Sequence, residues 1–415
     1  MKEFHFGLDI CNEYTQLSFF NEEKNEPESI YQLNTADTYM LPNVLFYSEE
    51  NEEWYVGSQV AEHRFIEQGI MIEDIVHHLT GKEQRLIGEK AYTYEDLLIL
   101  VLKGHLMEFL NRFEDIHVKS LTVTIQEYQK ELFEALLRLG QELELSDNDF
   151  HIISHTETFV QYVLHQASEI YNNSVALFDY NVSGMHYYRM DIERKGTQRF
   201  ITVEYKDLSK DMRYSLVYGE PVIIDEKFSI LAEKLMKEKF ISAVFLTGTG
   251  FADKWMKKST SILCGGRKVF LGQNIYSKGA CYHAKVDLRS EFTLDAEENI
   301  IFDIGIQIGD ERHQKCHPIA TGGTQWYNMK GKIFVFMDNT NRLELIYKDR
   351  MTGDHVKEII EVQGLPKRPS KTTKLSLEVE MYSKNHGAVV IRDEGFGKLY
   401  PTTNKIYRKE FSIGS

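Results

Sequence analysis

Two stretches of the chain share one plan. Residues 4–10 form an apolar run that carries Asp9 near its end, a short turn covers 11–13, and 14–20 return as a second apolar run. Residues 175–190 repeat this: the first run reaches Asp179, a turn follows, and 185–190 return. Both read as β-hairpins whose first strand gives way to the turn at a carboxylate. Elsewhere the apolar period lengthens. Leu97, Leu98, Val101, Leu102, Leu106 and Phe109 recur at helical spacing and predict a helix over 94–112. Further helices are expected over 127–139, 157–170, 228–237 and 274–284, and buried strands over 118–125 and 150–153. A strand over 244–247 ends in the glycine turn Gly248-Thr249-Gly250, with a helix expected through Trp255. From 300 onward period-two alternation dominates, as in Lys332-Ile333-Phe334-Val335-Phe336 and Leu375-Ser376-Leu377-Glu378-Val379. Many short strands with regular turns read as a β-sandwich.

Composition narrows the picture. With 415 residues, 42% of them hydrophobic, the chain is long enough for two or three domains with their own cores. The formal net charge of −15 speaks against a nucleic-acid partner, because phosphate binding needs a basic face. That charge is unevenly placed. Residues 300–415 hold 18 Lys+Arg and 14 Asp+Glu, a formal +4, against 30 and 49, or −19, over 1–299. The switch coincides with the change of period and divides the chain into a domain at 1–284, a linker at 285–299 and a sandwich at 300–415. Cys11, Cys264, Cys281 and Cys316 have no ligand-type spacing, so neither a zinc site nor a disulfide framework is expected. The N-terminus enters a strand without a signal-type apolar core, and Lys103, His105 and Glu108 interrupt the most apolar helix. The expectation is a cytoplasmic protein with no membrane partner.

These elements carry a resemblance. Two strand–Asp–turn–strand units facing each other resemble the phosphate-clamping core of the actin-like ATPase fold. Pro42-Asn43-Val44 followed by Val56-Gly57, and Ile152-Ile153-Ser154-His155-Thr156 leading into a helix, resemble the DnaK-type seventy-kilodalton heat-shock chaperones. The sandwich is similar to theirs in three places. Ile304-Gly305-Ile306-Gln307 resembles their Leu-Gly-Ile-Glu, and Gly364-Leu365-Pro366 resembles their Gly-Ile-Pro. Asp393-Glu394-Gly395-Phe396-Gly397 resembles their Asp-Lys-Gly-Thr-Gly. The resemblance runs in one order over nearly the whole chain. It implies an α/β, actin-like (duplicated ribonuclease H-like) two-lobed domain followed by an all-β sandwich, in a divergent and lidless form.

The chemistry departs from that family. Its nucleotide cleft falls here on Asp9, Ile10, Cys11, Asn12, Asp179, Asn181, Gly248, Thr249 and Gly250. The first phosphate turn, Gly-Thr-Thr in the family, is Cys11-Asn12-Glu13, and the second keeps one shifted glycine in Asn181-Val182-Ser183-Gly184. Phosphate cradles use glycine so that backbone N–H groups approach the anion, and a carboxylate such as Glu13 repels it. The family's catalytic lysine aligns with His77 and its general-base glutamate with His155, with Glu157 two residues on. Asp9 and Asp179 read either as magnesium-water ligands or as turn-capping carboxylates. The expectation is therefore a pseudo-ATPase with no catalytic residue and no cofactor, binding a protein or peptide. The alternative is an active chaperone-like ATPase using ATP or ADP with Mg²⁺. Aligning the sandwich places Ile306, Ile308, Phe334, Phe336, Leu343 and Leu345 on strands equivalent to those lining the family's peptide channel. The other reading puts them in the sandwich core. The basic cluster at 367–374 reads as a solvated loop.

Overall fold

The first hairpin forms from β1 (Lys2–Ile10) and β2 (Tyr14–Asn21), paired antiparallel, with β3 (Glu26–Ser29) continuing outward from β2. This computed structural model describes residues 2–31, 39–81, 83–112, 116–195, 198–286, 288, 291–309, 314–338 and 340–414. Helix α1 (Tyr94–Leu110) starts at a capping box in which Thr93 and Asp96 satisfy each other's backbone N–H groups. β4 (Ile116–Ile125), α2 (Lys130–Glu142), β5 (Phe150–Ser154) and α3 (His155–Leu164) follow. β4 adds parallel to β1 and β5 parallel to β4, so the sheet runs β5-β4-β1-β2-β3.

The same arrangement is then repeated. β6 (Ser174–Asn181) and β7 (Gly184–Lys195) form the second hairpin, followed by β8 (Gln198–Asp207), α4 (Pro221–Met236), β9 (Ile241–Thr247), β10 (Lys268–Leu271) and α5 (Ile275–Lys285). β9 lies parallel to β6 and β10 parallel to β9, giving the path β10-β9-β6-β7-β8. Strand order therefore recurs around β1 and β6, down to the register. Asp9 lies between Gln16 and Thr124, and Asp179 between His186 and Thr247. β6 is buried from Ser174 to Tyr180, and a strand covered on both faces is written as a continuous apolar run rather than an alternation.

Four helices differ from the periodicity, α2 by running over Lys130–Glu142 rather than 127–139. α3 starts at His155 rather than 157, because Ser154 caps it by accepting from the Glu157 N–H at 3.3 Å. α4 starts at Pro221 rather than 228, with proline in the first turn where its missing N–H is harmless. After Gly250 there is a 3₁₀ turn, Thr249–Phe251, and no α-helix until Lys258–Leu263. No helix among the described residues is long and apolar enough to cross a membrane.

The chain divides into two units, one built from 1–191 and 204–288, the other from 192–203 and 289–415. In the second, β11 (Phe292–Asp295) pairs parallel with Arg199 to Thr202 of β8, so the expected linker at 285–299 contains a strand. Eight strands follow: β12 (Phe302–Ile308), β13 (Lys315–Ala320), β14 (Gly331–Met337), β15 (Arg342–Asp349), β16 (His355–Glu361), β17 (Thr373–Ser383), β18 (His386–Asp393) and β19 (Ile406–Ser412). They form two four-stranded antiparallel sheets, β13-β12-β15-β16 and β14-β17-β18-β19. Ile304, Leu345, Leu375, Leu377, Val389 and Ile391 belong to their common buried core.

Candidate functional site

The repeated hairpins carry Asp9 and Asp179 into the interior of the first unit, each almost fully buried. Neither carboxylate is left open. His155, the first residue of α3, brings Nε2 to 2.8 Å from Asp9 Oδ1. Its ring lies against that of Tyr276 on α5, centroids 3.7 Å apart and planes 13° from parallel. The Tyr276 hydroxyl donates to Asp179 Oδ2 at 3.0 Å, and the Asn181 amide donates to Asp179 Oδ1 at 3.1 Å. An imidazole stacked on a phenol thus links the two carboxylates. Burial pushes the Asp179 carboxyl up, reinforced by Asp9 and opposed by His155, His186 and the Tyr276 hydrogen bond. Burial, then the Asp179 charge, holds the Tyr276 phenol far above its ordinary range, so it stays a donor.

One backbone N–H in each turn is engaged internally. The Cys11 N–H donates to the Tyr14 carbonyl at 2.9 Å, and the Ser183 N–H donates to Asn181 Oδ1 at 2.9 Å. Ser183 Oγ also lies 2.7 Å from His186 Nε2, and His186 Nδ1 is 2.9 Å from the Tyr205 hydroxyl. One consistent set of donors runs from Tyr205 through His186, Ser183 and Asn181 to Asp179. The field at the first turn is negative: after burial itself, Asp9 is the largest cause that pushes the Cys11 thiol up, with Asp179 and Glu13 adding to it.

The glycine turn holds its position by close approach. Gly248 has φ +95°, and a Cβ there would lie 2.4 Å from the Tyr180 carbonyl oxygen and 2.8 Å from Asp179 Oδ1. A Cβ on Gly250 would meet the Tyr180 ring at 2.4 Å. Tyr180 packs on Phe251, whose ring stacks on Trp255, and Trp255 Nε1 donates to the Gly250 carbonyl at 2.8 Å. Thr249 shares a 2.9 Å hydrogen bond with the Tyr214 hydroxyl.

Beside the turns lies a cavity of about 350 Å³. Of the expected cleft residues, Ile10, Cys11, Asn12, Asn181 and Thr249 line it; Asp9, Asp179, Gly248 and Gly250 do not. His77 is exposed and does not line it, so it does not take the place of a catalytic lysine. Glu157 is buried at the α3–α5 contact, 3.9 Å from His283 Nε2, and does not line it either. Among the described residues, no group of three or more His, Cys, Asp or Glu is placed to hold a metal ion. Sequence reasoning placed His155 at the cleft but missed its role as the partner of Asp9. It missed Tyr276, His186 and Tyr214 altogether.

The expected peptide-binding set divides. Ile306, Leu343 and Leu345 are at most 5% exposed and belong to the sandwich core. Ile308, Phe334 and Phe336 are exposed, but Ile308 ends β12 in one sheet while the phenylalanines lie on β14 in the other. The six therefore do not line one channel. On β14, Ile333 and Val335 pack against the core while Phe334 and Phe336 face out. Lys374 Nζ sits 4.2 Å from the Phe334 ring centroid, and Phe336 meets Phe396 edge-on at 5.9 Å.

A family model described as the C-terminal part of a family of unknown function, DUF5716, matches residues 26–297. The chain belongs to the DUF5716 family. In this DUF5716 member a second model, a domain of unknown function called DUF8552, matches residues 299–413, so the two models meet close to the start of the sandwich. No curated protein matches the chain.

Proposed function

We propose that this chain is a degenerate DnaK-like protein: an actin-like, duplicated two-lobed domain that does not hydrolyse ATP, followed by a sandwich that binds a polypeptide or protein partner. One observation carries the reading, the Asp9–His155–Tyr276–Asp179 linkage. Phosphoryl transfer depends on positioning and on cations that neutralise the transferring group. Magnesium–ATP does not fit these residues. Both carboxylates are engaged by His155 and Tyr276, the Ser183 N–H is occupied by a side chain, and among the described residues neither lysine nor arginine lines the cavity. Titration calorimetry with ATP or ADP plus Mg²⁺ is expected to show no cleft binding, and turnover is expected at background. A magnesium-dependent ATPase activity abolished by Asp9→Ala or Asp179→Ala would overturn this reading in favour of an active chaperone-like ATPase.

The partner-binding part is supported by Phe334, Phe336 and Phe396, each about half exposed at 52, 51 and 46%. Leu343, as a core residue, is no probe of binding, because an aspartate there would be buried without a partner. In fluorescence anisotropy with a Leu-rich peptide, the Phe334→Asp/Phe336→Asp double variant is expected to bind about tenfold more weakly or worse, since aromatic anchors dominate such contacts. Equal binding by the folded variant would remove this face from the proposal.

A further inference from the structure

We propose that the cavity beside the two turns, together with a basic groove adjoining it, binds a phosphorylated polyol such as a sugar phosphate. This goes beyond the non-hydrolysing reading and requires no magnesium. The two depressions adjoin at the second turn, where Val182, Ser183 and Tyr214 line both. Charge is divided sharply between them. Among the described residues the cavity has neither lysine nor arginine in its lining but carries the carboxylates of Glu13 and Glu127, and it offers the amides of Asn12, Gln126 (also 3.3 Å from His186 Nε2) and Gln129 beside an apolar wall that includes Ile125 and Leu132. Amides pair with hydroxyl groups in either direction, and an apolar wall suits the C–H face of a sugar ring. The carboxylates accept from hydroxyl groups and repel anions, so the body of the ligand is hydroxyl-rich and carries no negative charge.

The groove, about 400 Å³, is lined by Lys210 and Arg213 together with the hydroxyls of Ser209 and Ser215; Ser183 also lines it, with its hydroxyl already held by Asn181 and His186. Among the described residues neither cation is in an ion pair. On the neighbouring strands, by contrast, Arg189 is paired with Asp191, Glu204 and Glu238, and Lys206 with Glu204 and Glu238. Of the carboxylates on the same loop, Asp207 feels the Lys210 charge but forms no ion pair with it. Asp207 accepts from the Ser209 N–H at 2.8 Å, and Asp211 lines a different depression. The loop is anchored where Tyr180, buried in the core, donates to the Arg213 carbonyl at 2.8 Å. A guanidinium, an ammonium and two hydroxyls lining one groove match a phosphate monoester, with its two charges and three terminal oxygens.

The test is calorimetric titration, without magnesium, of glucose 6-phosphate, ribose 5-phosphate and glycerol 3-phosphate. Glucose, ribose, glycerol and inorganic phosphate serve as comparisons. At least one ester is expected to bind about tenfold more tightly than both its parent polyol and inorganic phosphate. The exposed pair Lys210→Ala/Arg213→Ala is expected to weaken that ester about tenfold or more. Gln126→Ala should weaken the ester while leaving inorganic phosphate unaffected. Binding of none of the esters, an ester no better than inorganic phosphate, or unchanged binding by the double variant would each overturn the proposal. ATP turnover lost in Asp9→Ala would sink the non-hydrolysing reading without touching this one.

Discussion

Arg368→Ala is expected to destabilise the second unit by about 3–5 kcal/mol, the range for removing one partner of a buried ion pair. Arg368 and Asp393 form a two-pronged pair at 2.7 and 2.8 Å, their side chains 3% and 0% exposed. Asp393 also accepts from the Gly395 N–H, the Thr403 N–H and the Thr403 hydroxyl, while Arg368 reaches the Pro401 carbonyl. The pair thus ties the loop before β17 to the end of β18 and the segment beyond it. Without the guanidinium, the carboxylate stays buried with only those neutral donors. Desolvation alone would push the Asp393 carboxyl up, but the Arg368 hydrogen bonds, followed by those of Thr403 and Gly395, hold it well below the usual carboxylate range. A folded-state value below the unfolded one means that stability is fully present above the unfolded carboxylate value, near pH 4, and is lost as the pH falls below it. Scanning calorimetry of the full chain should therefore show the unit's transition falling by roughly 10 °C in Arg368→Ala. In the parent it should show an acid-sensitive transition whose sensitivity below pH 4 shrinks in the variant. A variant melting like the parent would mean that the pair contributes nothing net.

Arg368 also shows where sequence reading stops. Among Lys367, Lys371 and Lys374 it reads as one more charge of a solvated loop, and nothing local signals that Asp393 waits on a later strand. The hairpins were legible because their information is local: an apolar run, a carboxylate and a turn lie within a few residues of one another. The repeated registers around Asp9 and Asp179 needed parallel pairing of β1 with β4 and of β6 with β9, which no short window contains. The His155–Tyr276 stack is less legible still. His155 reaches Asp9 only because Ser154 starts α3 two residues earlier than the apolar period suggests. Tyr276 reaches Asp179 only through the packing of α5. On β14, the alternation correctly pairs Phe334 with Phe336 but does not say which face turns inward, because Ile333 and Val335 are apolar too.

The packing of α5 sets the last expectation, in which two effects of opposite sign compete. Gly279→Ala would normally stabilise a helix interior by about 1 kcal/mol. Here the added Cβ would lie 2.1 Å from the Thr158 carbonyl oxygen on α3, a backbone atom that has no rotamer through which to yield. The helix is pinned on its other side as well: a Cβ on Gly7 of β1 would meet Cys281 N and Ser277 O at 2.1 Å each. Restoring an ordinary contact would require α5 or α3 to move by more than 1 Å, since ordinary van der Waals contact of a Cβ begins at 3.4 Å. Overpacking of this kind costs about 1–3 kcal/mol and more where backbone must shift, so sterics outweigh propensity. Tyr276 lies one turn before Gly279, so the displacement should also lengthen its 3.0 Å hydrogen bond to Asp179 and disturb the stack on His155. Gly279→Ala is therefore expected to lower the stability of the first unit by about 2 kcal/mol net and to speed hydrogen exchange in α3 and α5. Gly272→Ala is the control, because a Cβ there meets nothing closer than 3.9 Å. If Gly279→Ala proves as stable as the parent, with exchange in both helices unchanged, then α5 is not held by backbone contact, and the linkage between Asp9 and Asp179 does not depend on how closely it packs.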